Sequence, residues 1–137
     1  MSLPLSKEER HKLQVKHNEE LIQEEIFSDS TNHTSLKYND WLVTISFYIS
    51  LHHIHTFLSK NSYQSNFNSH TDRNEYLKYL SQIDRRVDKI THKYLSLYKL
   101  SRLCRYTPCY FSYLKQSDVK AYVDFAFQTL PKELHII

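Results

Sequence analysis

Apolar residues are spread unevenly along this 137-residue chain, and their spacing alone marks out helices. From about 37 to 60 the segment is apolar around most of a helical circumference. At about 100° per residue, Trp41, Ile45, Tyr48, His52 and His55 share one stripe. Leu42, Ile49, His53 and Thr56 form a second, and Phe47, Leu51, Ile54 and Leu58 a third. A helix this apolar belongs in the middle of a bundle, largely buried. A second long helix is predicted over about 84–105. Ile83, Val87, Ile90, Tyr94, Leu97, Tyr98 and Ser101 have the spacing of its packed face. Between the two lie a polar loop, KNSYQSNFNS (60–69), and a short helix over about 71–81. Ser69 or Thr71 caps that helix, and Tyr76, Leu77 and Leu80 anchor it.

The flanks are more polar. Ser6 and Glu9 form a capping-box pattern, so a helix starts there and runs to about Phe27. Its apolar residues, Leu13, Leu21, Ile22 and Ile26, are sparse, which predicts packing through a narrow stripe or against another subunit. SDSTNHTS (28–35) reads as a loop. Pro108 breaks the long second helix, because it lacks an N–H and disfavours the helical conformation of Thr107. A last helix over about 117–130 starts at Ser117 and buries Val119, Tyr122, Val123, Ala126 and Leu130, and Pro131 ends it. The expected fold is all-α, an antiparallel bundle of four to five helices. It forms a single domain over 1–137, with 6–27 a peripheral N-terminal helix and 37–130 the core.

Composition supports the helical reading. The chain contains no glycine at all, against an average usage of about 7%. This argues against tight β-hairpins and excludes Gly-rich phosphate loops. Two cysteines, Cys104 and Cys109, do not make a disulfide framework. No signal-like leader and no apolar run of membrane-spanning length stands out, so a cytoplasmic, non-membrane protein is expected. The formal charge of +3 is polarised along the chain. Residues 1–30 carry seven acids and four bases, residues 60–105 ten bases and four acids. A basic middle suits a phosphate-bearing partner, and equally the solvated faces of helices.

The histidines invite a metal. His52 and His55 stand at i and i+3, an acceptable ligand spacing. A dimetal bundle also needs several inward Glu residues, and the apolar 37–60 segment holds none; a zincin needs His-Glu-x-x-His, which does not occur in the chain. No metal or other cofactor is therefore expected. A buried, hydrogen-bonded His52 and an exposed His53 are expected instead.

The run FYISLHHIHTFL, then Ser69-His70 with Arg73 beyond it, then YLSLYKLSRLCRY, resembles the HEPN superfamily (higher eukaryotes and prokaryotes nucleotide-binding). The matching positions are Phe47, Tyr48, His52, Ser69, His70, Tyr94, Leu97, Tyr98, Ser101, Arg105 and Tyr106, over about residues 38–130. The resemblance implies a small helical bundle that pairs as a homodimer. It also implies a role in a mobile-element, defence or toxin–antitoxin setting, with an antitoxin or other protein partner. Active members cleave RNA without metal, using an Arg and a His with four to six residues between them. The His acts as general acid or base and the Arg stabilises the phosphorane charge. The late helix does not supply that pair from Arg102 or Arg105. Arg85 or Arg86 with His92 supplies it, as does Arg10 with His17. The expectation is a non-catalytic or degenerate member binding nucleotide, RNA or a partner protein. Tyr48, His52, His70, Arg73, Arg102, Arg105 and Tyr106 would form its ligand-binding or structural polar pocket. The alternative is an active ribonuclease using Arg85, Arg86 and His92. A histidine-based metal-binding bundle is the second alternative.

Overall fold

Helix α2 (Asn39–Lys60) runs through the centre of the bundle, as its all-round apolarity demands. Val43, Phe47, Ile49, Ile54, Phe57 and Leu58 are buried on several sides of it. Each full burial of a side chain this large contributes about 1.5–3 kcal/mol. The structure, a computed structural model, describes residues 5–22 and 38–135. The expected continuation of the first helix to Phe27, with Ile26, and the loop 28–35 lie outside the described residues, as do the side chains of His17, Leu21 and Ile22.

Helices from both sides of the sequence pack on α2 and on one another. Helix α1 (Lys7–Ile22) lies along it, and α3 (His70–Ser81) and α4 (Arg85–Tyr106) form an antiparallel pair. A 3-10 turn (Tyr110–Tyr113) then leads into α5 (Gln116–Asp124). Helix α4 runs antiparallel to α2: Arg86 at its start stacks over Phe57, and Arg105 near its end reaches Tyr48. Val87, Ile90, Tyr94 and Leu97 are its buried stripe, as the spacing predicts. The all-α bundle expected from the sequence is thus observed among the described residues.

Local chemistry sets the helix ends. The Ser69 hydroxyl accepts from the Asp72 N–H, so Ser69 and not Thr71 caps α3. Asp84 caps α4 and does more. Its carboxylate takes the Arg86 N–H at 2.9 Å, the Arg86 guanidinium at 2.9 and 3.2 Å, and the Tyr63 hydroxyl at 2.9 Å. These bonds hold its pKa down at about 2, and they tie the 61–69 connection to the start of α4. Buried hydroxyls on α2 and α4 bond back one turn: Thr44 to the Asp40 carbonyl, Ser50 to Ser46, Thr91 to Val87.

Several expectations need correction. Pro131 does not end the last helix. After α5 the backbone widens into a π-helical stretch (Phe125–Thr129) and continues as one more turn, α6 (Leu130–Glu133), with Pro131 buried inside. The wider turn accommodates a ring that would clash in a regular helix, at a position where no N–H is available. Trp41 and Ile83, assigned to buried stripes, are 57% and 62% exposed. Leu13 is exposed as well, and among the described side chains of α1 Val15 enters the core. Without glycine, left-handed turn positions fall to Ser62, Cys109 and His135.

Candidate functional site

Two polar clusters flank α3, and one arginine joins them. The first lies where the start of α3 meets the end of α4. Ser69, His70 and Thr71 face Tyr98, Arg102, Arg105 and Tyr106 across an open hollow of about 280 Å³. The hollow brings together four residues singled out from the sequence: His70, Arg102, Arg105 and Tyr106.

Arg105 is held rigidly there. One terminal nitrogen donates to the Tyr48 hydroxyl at 3.0 Å, and its Nε donates to the Ser101 carbonyl at 3.2 Å. Its guanidinium also lies 5.4–5.6 Å from the ring centres of Phe47, Tyr48 and Tyr106, within cation–π range. Tyr48 thus stands behind the pocket as a support for Arg105. Arg102 is exposed and more loosely held, with a long 3.5 Å contact to the Tyr98 hydroxyl. Neither arginine pairs with a carboxylate among the described residues. At the α3 terminus, the N–H groups of His70 and Thr71 meet no acceptor among the described residues. Two guanidinium groups and a helix N-terminus make this corner strongly attractive to an anion.

Arg73 closes the back of the pocket. One of its terminal nitrogens lies 2.7 Å from His70 Nδ1, and its Nε donates to His55 Nε2 at 3.1 Å. Arginine can only donate, so each of those ring nitrogens accepts. His70 therefore carries its proton on Nε2, and His55 carries its proton on Nδ1. Burial, then Arg73, Arg105 and Arg102, lower the His70 pKa and keep the ring neutral.

The second cluster lies on the α1 side of α2. His11 of α1 meets His52 of α2 through their Nδ1 atoms, and stacks on His55 with ring centres 5.0 Å apart. His52 is therefore not part of the pocket. His53, expected to be exposed, is 6% exposed, and its Nε2 has no partner; the Nδ1 of His55 also has none. Burial is the first cause that lowers His52 and His53 to about 4 and His55 to about 3. Nearby positive charge adds to it, from Arg73 and Lys7 and from His11 when it is protonated: His11 and Arg73 act on His52, and Arg73, His11 and Lys7 on His55. Such surroundings oppose a divalent cation. Among the described residues no group of three or more His, Cys, Asp or Glu is arranged to hold a metal.

The Arg–His pair proposed for cleavage lies elsewhere, on the outside of α4. Arg86 is committed to Asp84 and to the Phe57 ring. Arg85 and His92 are both exposed. Seven residues apart, they return to one helix face at a separation of about 10 Å along the axis.

The sequence reading missed Thr71 and His11 as members of these clusters. Nothing local marks them. His11 joins His52 only because α1 folds against α2, and Thr71 matters only because α4 crosses in front of it. Among the described residues no helix is long and apolar enough to cross a membrane. The chain matches no protein-family model, no curated protein and no solved structure.

Proposed function

We propose that this chain is a HEPN-like helical module that binds a nucleotide or RNA through the α3–α4 pocket without cleaving it. The carrying observation is the convergence of Arg102, Arg105 and His70 on an open hollow at the start of α3. No carboxylate among the described residues neutralises the two arginines. Unpaired guanidinium groups beside tyrosine faces are suited to phosphate and base together. A homodimer and a protein partner, such as an antitoxin, belong to the same proposal and draw on the resemblance alone.

Titration of a fluorescent single-stranded RNA into the full chain tests it. Binding that weakens about tenfold on Arg102→Gln, with a salt dependence shallower by about one phosphate contact, supports the pocket. Undiminished binding by this variant refutes the assignment.

One observation favours the ribonuclease reading: Arg85 and His92 share an exposed face, open to a second copy of the chain. Metal-free RNA cleavage that disappears in His92→Ala would establish it. The same cleavage by that variant would remove His92 from the chemistry.

A further inference from the structure

The pocket is asymmetric, and its asymmetry bears on which phosphate it takes. Two further hollows adjoin it. One, of about 580 Å³, continues past Tyr98, Arg102 and Tyr106 to Lys99, Leu103 and Thr107. The other, of about 240 Å³, leaves past Thr71 and Tyr98 to Asn74, Glu75 and Lys78. The first offers a lysine, the Arg102 guanidinium and the 71% exposed Tyr106 ring, and no carboxylate. The second shares Lys99 but lacks Arg102 and holds the Glu75 carboxylate, which Lys78 meets at 3.0 Å. A phosphodiester strand would have to leave the pocket in two directions. The first exit, with Arg102 and no carboxylate, favours a polyanion more than the second, where Glu75 offsets one of two lysines.

Charge and donor count point the same way. A phosphodiester carries one negative charge. A terminal phosphomonoester carries about −1.5 to −2 near neutral pH and offers three free oxygens. The pocket presents two guanidinium cations, the His70 and Thr71 N–H groups, the Thr71 hydroxyl and the His70 Nε2–H. That is more positive charge than one diester balances, with donors enough to reach three free oxygens.

We infer that the pocket recognises a terminal phosphomonoester of a nucleotide chain, with the adjoining nucleoside lying in the larger hollow against Tyr106. This inference rests on the nucleotide-or-RNA proposal above and narrows it to a strand end. The shared chemistry is the monoester, whether it sits at a 5′ or a 3′ end.

The test uses the full chain and one RNA tetranucleotide in three forms: 5′-phosphorylated, 3′-phosphorylated and hydroxyl-ended. Inorganic phosphate serves as competitor. One phosphorylated form binds about tenfold or more tighter than the hydroxyl-ended form, and which one does so names the end. Arg102→Gln brings the ratio close to one while leaving the melting temperature unchanged, because Arg102 is exposed and makes only a long contact to Tyr98. Arg102→Lys, which keeps the charge and loses the fork, recovers part of the ratio. In NMR titrations the His70 pKa rises when the phosphorylated RNA binds, because the incoming dianion offsets Arg73, Arg102 and Arg105. Equal binding of all three forms overturns the inference and leaves the broader proposal standing. So does affinity that grows with strand length whatever the ends. Failure of every RNA form and of inorganic phosphate to bind overturns both.

Discussion

Acid should unfasten this protein through the histidines of α2 that the fold holds neutral. His52, His53 and His55 are held neutral in the fold, at about 4, 4 and 3, and each returns to about 6.5 in the unfolded chain. The folded values are depressed, so the unfolded chain binds the extra protons. Stability is whole above about pH 6.5 and falls as pH drops toward 4 and 3. One independent ring of this kind costs about 1.4 kcal/mol for each pH unit in that window. The three rings do not act independently. A net loss of about 2–3 kcal/mol between pH 7 and pH 5 follows, a large share of the roughly 5–15 kcal/mol that holds a domain together. Glu19, its carboxyl raised by burial, pulls weakly the other way. Asp84, held at about 2, weakens only below about pH 4 and so falls in a separate window.

Urea unfolding at half-unit steps from pH 7.5 to 4.5 measures the effect. His53→Leu separates it from general acid sensitivity. The Nε2 of His53 is buried without a partner, so an apolar side chain of similar volume should stabilise the protein by about 1 kcal/mol at pH 7. It should also flatten the slope by about a third. A wild-type stability that stays level from pH 7 to pH 5 refutes the reasoning, as does a His53→Leu variant with the full slope.

Other substitutions probe the frame. Asp84→Ala removes a helix cap together with the Tyr63 and Arg86 bonds, and should cost about 2–3 kcal/mol in urea unfolding. Ser69→Ala removes the α3 cap alone and should cost about 1 kcal/mol by the same measurement. Cys109→Gly relieves a residue held at φ 60° and should raise stability by about 0.5 kcal/mol, read as a higher melting temperature.

The bundle was legible because α2 and α4 carry their burial pattern in the chain itself. Fifteen of the 22 residues of α2 are buried, polar ones among them, and no other placement hides so much apolar surface. What escaped the pattern depends on three dimensions. Trp41 and Ile83 have the correct spacing but lie at helix beginnings, where no neighbouring helix covers them. Pro131 reads as a stop because regular helix geometry forbids it, and only the π-helical stretch before it removes the clash. Likewise His53 reads as exposed because it is polar. The fold buries it because its neighbours Leu51, Ile54 and Phe57 leave α2 almost no solvent-facing side. His70, Arg102, Arg105 and Tyr106 were grouped by resemblance, and the hollow unites them. His52 was grouped with them and lies instead with His11, since α1 and not α4 covers that side of α2.

Arg73 explains why the two clusters coexist. A half-buried guanidinium usually meets a carboxylate, and pairing neutralises both. Here it is held by neutral histidines, His55 on one side and His70 on the other. Those bonds engage two of its five N–H donors and leave its charge in place. Burial first and then this charge depress both rings, and the neutral rings are the acceptors that Arg73 needs, so each condition supports the other. A carboxylate in place of His70 would hold Arg73 equally well and would cancel much of the field at Arg102 and Arg105. Histidine at that position anchors the arginine while the pocket stays positive. Its exposure to acid is the same property that makes the α1–α2 contact sensitive to pH.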